Sequence, residues 1–270
     1  MTLELSIVSA NVKAGGVGRE HNEDRLDKIL AVISEQHPHV LAIQEALFWD
    51  DAHGQLFWHV QNTLGMRGFM AYRGSDMRTA LFVAAPLQIR KASQLPHIPW
   101  RHGGVRVWVE APGGWQITFG SAHMSVGSPT QRLAEAEQIT SYFKAEEDER
   151  AQEVVRPTLT AVLIDTNCAD QDTDLSQASR AVRHQLCHPN THTPDTRPVD
   201  RIVEAGFIDL GTRTDDERQP TTCGHRTKVR CDRVFASPAY AQRAGAIEVV
   251  DSLGSSDHHF LRHTLTLSEI

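Results

Sequence analysis

Apolar residues recur with alternating periods of about two and about 3.6, and this alternation constrains the fold more than any other feature of the chain. "LELSIVSANV" has the short period of a buried strand, whereas "DRLDKILAVISEQ" places Leu26, Ile29, Leu30 and Ile33 on one helical face. Further strands are predicted at "HVLAIQEAL", "TALFVAA", "VRVWVEA", "WQITFGSAHM" and "LTAVLIDTN", and a long charged helix at about 130–153. Strands and helices mixed in this way predict an α/β chain in which two mixed sheets pack together with helices outside.

The sequence carries no sign of a domain boundary. No Gly/Ser-rich linker divides its 270 residues, and the least structured stretch, "CHPNTHTPDTRP" at 187–198, is short enough to be a surface loop. We therefore predict one domain over residues 1–270 and expect it to be a monomer.

Charge and cysteine content limit the partners and the compartment. The formal net charge of -7 gives no overall attraction for nucleic acid, so a polyanion would need a local basic groove or a bound cation. The N-terminus has no basic leader, and no apolar run is long enough to span a bilayer, which predicts a cytoplasmic protein. Its four cysteines are expected to be reduced thiols, although their spacing leaves a pairing of Cys223 with Cys231 open.

Polar residues stand at the ends of the predicted strands, where apolar residues would continue the pattern. One such residue alone would be expected to cap a neighbouring strand, because strand ends are where polar groups normally fall. A series of them at successive strand ends predicts a site, because strand ends converge at one edge of a layered fold. These residues are Asn11, Glu45, His123, Asp165, Asn167, Asp232, Asp257 and His258.

The residue types at these positions indicate the chemistry. Asn, Glu and Asp offer hard oxygen ligands, which suit Mg²⁺ or Mn²⁺ better than Zn²⁺. Two histidines among them can contact or protonate a phosphate. Asp165 and Asn167 are two residues apart, which would place both side chains on the same face of an extended strand.

Taken together, these motifs resemble the endonuclease/exonuclease/phosphatase superfamily, which includes pancreatic-type deoxyribonucleases, abasic-site endonucleases, inositol polyphosphate phosphatases and neutral sphingomyelinases. The resemblance runs from "SIVSANV" to "SSDHHF" through "LAIQEAL", "SAHMS", "IDTN" and "VRCDRVFAS". Two departures stand out. Ile164 and Thr166 flank Asp165 where the family usually has Gly and Phe, and Cys231 and Arg233 flank Asp232 where it usually has Ile and Tyr.

The resemblance implies a four-layer α/β/β/α sandwich and a metal-dependent hydrolase that cleaves a phosphoester by in-line attack of water. It implies Mg²⁺ as the cofactor, with Mn²⁺ as a substitute. Glu45 would be the main ligand, and Asn11 and Asp257 would lie nearby, bound directly or through water.

The resemblance also implies catalytic roles. Asp165 would orient or deprotonate the attacking water, and Asn167 would hold Asp165 or the phosphate. His258 and His123 would donate hydrogen bonds to phosphate oxygens, with Asp232 fixing one imidazole tautomer. The sequence leaves the division of proton transfer between Asp165 and His258 open. In "SSDHH" it favours His258 as the catalytic histidine and His259 as a bystander.

The substrate is the least determined feature. Predicted contacts are Arg78, beside "TALFV", and the basic patch of Arg226, Lys228 and Arg230 just before Asp232. This patch suits a nucleic acid backbone, the extra phosphates of a small ligand, or merely a solvated hairpin. Three functions therefore stay open: a nuclease for DNA or RNA, a phosphatase or phosphodiesterase for a small metabolite or lipid headgroup, and a catalytically silent binding module. The third is disfavoured because all the expected metal and histidine positions are filled.

Overall fold

The chain folds around two six-stranded sheets. The structure is a computed structural model that describes residues 2–18, 23–72, 75–96, 100–151, 158–188, 191–214, 218–223 and 227–268. The strands are β1 Thr2–Asn11, β2 Val40–Gln44, β3 Arg67–Met70, β4 Ala80–Val83, β5 Gln88–Gln94, β6 Gly104–Ala111, β7 Trp115–His123, β8 Leu159–Asp165, β9 Ile208–Asp209, β10 Asp232–Ala236, β11 Glu248–Val250 and β12 Phe260–Ser268. The first sheet has the order β11-β12-β1-β2-β4-β3, and the second has the order β5-β6-β7-β8-β10-β9.

Six α-helices in the described part of the chain accompany the sheets. They are α1 Glu23–Ser34, α2 Gln55–Leu64, α3 Pro129–Ala151, α4 Arg180–Leu186, α5 Arg197–Glu204 and α6 Pro238–Ala241. Of these, α1 and α2 cover the outer face of the first sheet, while α3 and α5 cover that of the second. The long charged helix predicted at about 130–153 is α3, and residues 152 and 153 lie outside the described part of the chain. None of the described helices is long and apolar enough to cross a membrane.

The two-residue period of the strands determines the layers. In β1, Leu5 and Ile7 pack in the core between the two sheets, whereas Val8 and Ala10 pack on the outer face with residues of α1 and α2. The outer face of the second sheet packs in the same way against α3 and α5. The order is therefore helices, sheet, sheet, helices, which confirms the predicted α/β/β/α sandwich.

The same period directs polar strand ends into the gap between the sheets. Leu159, Ala161 and Leu163 of β8 face the inner core, so Asp165 continues that face at the end of the strand. Asn11 ends the corresponding inner row of β1. The strands on either side of β8 add two more polar groups, because its neighbours place His123 and Asp232 directly opposite Asp165. The fold thus gathers side chains from both sheets at one edge of the sandwich.

A buried ion-pair network lies beside this edge. Arg233 and Arg230 each bind both Asp209 and Asp170, at 2.8–3.0 Å in every pair. Burial alone would raise the pKa of Asp170, but the two guanidinium groups outweigh it and lower that pKa to about 2. The network links the start of β10 to β9 and to the segment that follows β8.

Replacing a carboxylate of this network should destabilise the protein far more than replacing one on the surface. Asp209→Asn leaves two buried guanidinium groups undercompensated, so we expect a loss of about 3–5 kcal/mol in the free energy of unfolding. Glu248→Gln is the control, because Glu248 is largely exposed where it pairs with Arg262, and it should cost at most about 1 kcal/mol. Urea denaturation measures both values, and equal losses would contradict the account.

Candidate active site

The side-chain amide of Asn11 joins the two sheets at the site. Its Nδ2 donates to Glu45 Oε1 at 3.1 Å and to Asp165 Oδ2 at 2.9 Å. Its Oδ1 accepts a hydrogen bond from the backbone N–H of Lys13 at 3.0 Å, which fixes the orientation of the amide. Asn11 therefore presents its nitrogen, rather than its oxygen, to the two carboxylates. This disagrees with a role as a direct metal ligand and makes Asn11 a residue that positions Glu45 and Asp165.

Glu45 is held by the loop that follows β1. Its Oε2 accepts the backbone N–H of Ala14 at 2.8 Å, and its own backbone is in the left-handed region with a φ of 60°. The loop can come this close because residue 15 is glycine: a Cβ there would lie 2.0 Å from the carbonyl oxygen of Leu47, and its φ is +72°. The carboxylate of Glu45 is thus preorganised by backbone contacts.

Asp165 and Asn167 meet as predicted, although for a different reason. β8 ends at Asp165, and Asn167 lies beyond it with a left-handed φ of 49°. The backbone N–H of Asn167 donates to Asp165 Oδ1 at 2.8 Å. A turn stabilised by the Asp165 carboxylate, rather than the alternation of a strand, therefore brings the two residues together.

His123 lies behind this pair. Its side chain is 0% exposed, and its Nε2 lies 2.9 Å from Asn167 Nδ2, which also donates to the carbonyl oxygen of Met124. The same Nε2 also lies 3.6 Å from Asp165 Oδ2. His123 thus contacts Asn167 and Asp165 inside the site, and its hydrogen bond to a phosphate stays a prediction.

His258 and Asp232 form a buried pair on the other side of Asp165. His258 Nδ1 lies 2.7 Å from Asp232 Oδ2. Burial alone would lower the pKa of His258, but the charge of Asp232 outweighs burial and raises that pKa well above its usual value. The raised pKa favours the protonated form of His258, which can donate from Nε2.

The "SSDHH" segment is anchored to the end of β1. The hydroxyl of Ser256 donates to the backbone oxygen of Asn11 at 2.8 Å, and the N–H of His258 donates to the same hydroxyl at 3.2 Å. The chain bends before His258, and β12 begins at Phe260 as the sequence predicts. His259 Nδ1 lies 3.4 Å from Asp251, away from Asp165 and Asp232.

Asp257 is paired with a lysine that sequence reasoning did not single out. Lys13 Nζ lies 3.1 Å from Asp257 Oδ2, and Lys13, Ala14, Arg25 and Asp257 line a cavity of about 670 Å³. The signal in the sequence was slight: Lys13 follows the polar strand end at Asn11 by two residues. The position of its ammonium group indicates that this corner of the site attracts a cation.

Glu45 and Asp257 are the oxygen donors available to a metal at this corner. Both border the segment 11–14, and each oxygen of Glu45 that accepts one hydrogen bond retains a second lone pair. Mg²⁺ uses one or two carboxylates and keeps several waters, so this sparse set of hard donors fits it.

A cysteine also belongs to the cluster. Cys231 is buried, and its Sγ lies 3.6 Å from Asp232 Oδ2 and 3.8 Å from His258 Nδ1. Burial, together with the charges of Asp165 and Asp232, raises the pKa of this thiol well above its usual value. All four cysteines are free thiols, so Cys223 and Cys231 are not paired.

Two of the predicted substrate contacts are bound by carboxylates of the chain itself. Arg230 is only 5% exposed and is held by Asp170 and Asp209, so the prediction that it contacts substrate is wrong. Arg78 donates to Asp50 Oδ2 at 2.6 Å, which occupies its guanidinium group. Lys228 is exposed and donates to the carbonyl oxygen of Cys223. Arg226 lies outside the described residues.

Comparisons with known proteins identify the family and the fold. The family model described as "Endonuclease/Exonuclease/phosphatase family" matches residues 8–258, and the chain belongs to that family. No curated protein sequence matches the chain.

Solved structures with the same fold are distant in sequence. AP endonuclease LMAP from Leishmania major has a TM-score of 0.74 at 13% identity, over 98% of this chain and 88% of that one. TDP2 from C. elegans has a TM-score of 0.66 at 16% identity, over 98% and 76%. The human nocturnin catalytic domain, with a bound sulfate anion, has a TM-score of 0.65 at 14% identity, over 99% and 97%. At these identities the likeness defines the fold.

The imidazolium state of His258 should depend on Asp232. In metal-free protein we expect His258 to titrate above the usual histidine range, and at a clearly lower pKa in Asp232→Asn, because the largest effect that raises its pKa is removed while the effect of burial stays. NMR titration of the histidine ring signals measures both pKa values. His102 provides an internal reference, because burial lowers its pKa to about 3 and it should not titrate near neutral pH in either protein. An unchanged His258 pKa in Asp232→Asn would contradict the account.

Proposed function

We propose that the protein is a Mg²⁺-dependent phosphodiesterase that cleaves nucleic acid by in-line attack of water. One observation carries the proposal: the Asn11 amide bridges Glu45 and Asp165, while the imidazole of His258, held by Asp232, lies on the other side of Asp165. A carboxylate that can accept a proton therefore lies close to a cation that can donate one to a phosphate.

The cofactor would be held by Glu45 and Asp257, with waters completing the coordination. When bound, Mg²⁺ (or Mn²⁺ in its place) would offset the negative charge that develops on the phosphoryl and leaving oxygens. The ammonium of Lys13 would then be displaced from Asp257 toward the cavity, where it can contact a substrate anion.

The protein's own groups divide the proton chemistry. Asp165 receives hydrogen bonds from Asn11 and from the N–H of Asn167, which orient its carboxylate to align and deprotonate a water. His258 enters the reaction already protonated, so it donates to a phosphate oxygen while Asp232 stabilises its charge. These contacts support Asp165 as the base and His258 as the donor.

Nucleic acid is the proposed substrate because one fold relative is described as an AP endonuclease, a name that denotes cleavage within a nucleic acid strand. A small phosphorylated metabolite or lipid headgroup is the second candidate. It is favoured by the pairing of Arg78 and Arg230 with carboxylates of the chain itself, which removes two of the predicted contacts to a polyanion.

A substrate panel should separate these functions. Plasmid DNA, single-stranded RNA and a set of phosphorylated metabolites are incubated with the protein in Mg²⁺ or Mn²⁺. We expect nicking of the plasmid, a steep fall of the rate with added salt, and a loss of about 10²–10⁴-fold in Asp165→Asn and His258→Ala. His259→Ala is the matched control, because it removes the neighbouring imidazole that points to Asp251, and its rate should stay close to wild type.

Two outcomes would contradict the proposal. Hydrolysis of a metabolite without cleavage of any nucleic acid would replace the nuclease with the second candidate. Equal losses in His258→Ala and His259→Ala would show that the buried pair with Asp232 is not the catalytic one.

A further inference from the structure

The imidazole of His123 packs against a second imidazole that the site chemistry has not used. The rings of His102 and His123 are stacked, with their centroids 4.7 Å apart and their planes inclined by 26°. His102 is 5% exposed and His123 is 0% exposed, so the whole stack is buried. His102 therefore lies against the face of a ring that contacts the catalytic carboxylate.

The segment that carries His102 is anchored through a buried carboxylate. The N–H of Arg101 donates to Glu135 Oε1 at 3.1 Å. Glu135 is itself buried, and its Oε2 accepts the N–H of Ser125, two residues after His123, at 2.8 Å. One side chain of α3 thus holds both the segment of His102 and the loop that follows His123.

A hydrogen bond orients the ring of His102. Its Nδ1 lies 2.8 Å from the hydroxyl oxygen of Ser75, and the N–H of Ser75 donates to the carbonyl oxygen of Arg101 at 2.7 Å. Burial is the main cause that lowers the pKa of His102 to about 3. His102 is therefore neutral near neutral pH, and its ring stacks on His123 without bringing a positive charge to it.

The orientation of the His123 ring determines its contacts in the site. Its Nε2 lies 2.9 Å from Asn167 Nδ2 and 3.6 Å from Asp165 Oδ2. A rotation of the ring about its bond to Cβ would carry Nε2 away from both groups. Stacked aromatic rings at such a separation attract each other, so the stack opposes this rotation.

We propose that His102 is a positioning residue, whose ring stacks on His123 and thereby keeps Nε2 of His123 in contact with Asn167 and Asp165. His102 acts through His123 rather than on the substrate. Its effect on the rate rests on the proposed function, because that effect requires Asp165 to be catalytic. Its effect on the orientation of His123 does not.

Two substitutions separate stacking from hydrogen bonding. His102→Phe keeps an aromatic ring and loses the hydrogen bond to Ser75, whereas His102→Gln keeps a polar group near Ser75 and loses the ring. Positioning by stacking requires the Phe variant to resemble the wild type and the Gln variant to differ from it. A merely structural role through the hydrogen bond would give the opposite order. Circular dichroism shows whether each variant is folded, and His102→Tyr is a second aromatic variant should His102→Phe not fold.

NMR of the metal-free full chain follows His123 without any assay of activity. The ring protons of His123 and the side-chain amide protons of Asn167 are recorded in each protein. We expect both sets of signals to shift in His102→Gln, because the ring current of the stacked neighbour is lost and the His123 ring can turn. In His102→Phe the Asn167 signals should stay close to those of the wild type. His59→Gln is the control, because His59 is exposed where it contacts Asp27, and it should change neither set. Unchanged His123 and Asn167 signals in His102→Gln would overturn the proposal.

Steady-state kinetics in Mg²⁺, on the substrate that the panel identifies, test the effect on the reaction. We expect kcat of His102→Gln to fall at least about tenfold at a similar KM, because the chemical step rather than binding depends on the aligned groups, and kcat of His102→Phe to stay within about threefold of wild type. A Gln variant as active as the wild type, or a Phe variant that loses as much as the Gln variant, would overturn the positioning role. If no substrate is hydrolysed by any of the proteins, the proposed function fails, while the NMR signals still decide whether His102 holds His123.

Discussion

The hydrogen bonds of the Asn11 amide are the interaction on which the site depends. Asn11 ends β1 of one sheet, Asp165 ends β8 of the other, and the amide donates to Asp165 and to Glu45 at once. With the amide fixed by the N–H of Lys13, both carboxylates are held at set positions without a charge between them. A buried amide stabilises the fold only when all its hydrogen-bond partners are present. Because the partners of Asn11 come from both sheets, the packing of the sheets also positions the carboxylates of the site.

Much of this edge could be predicted from the sequence, because the two-residue period of a strand determines which face each side chain lies on. Once alternating apolar residues place Leu163 in the core between the sheets, Asp165 must face the same gap. The same reasoning applies to Asn11 and Asp232. The predicted four-layer fold and family are confirmed, whereas the roles of the site residues, the extent of a single domain and the monomeric state stay predictions.

The contacts that could not be predicted join residues that are distant in sequence. The pairing of Arg230 with Asp209, and of Lys13 with Asp257, joins residues far apart along the chain, and no local pattern encodes it. The left-handed backbone of Glu45 likewise arises from contacts made by the folded loop, because a glutamate has no preference for that region. The sequence pattern therefore predicts at which edge these polar residues lie, but not which partners they have.

The Glu45 carboxylate is proposed to hold the metal ion of a hydrolytic site. Binding of Mn²⁺, followed through the paramagnetic resonance of the free ion, tests it without a substrate. We expect Glu45→Gln, which keeps the size of the side chain, to weaken Mn²⁺ binding at least about tenfold, and the exposed control Glu35→Gln to leave it unchanged. Mn²⁺ binding that is the same in Glu45→Gln as in the wild type would contradict the account.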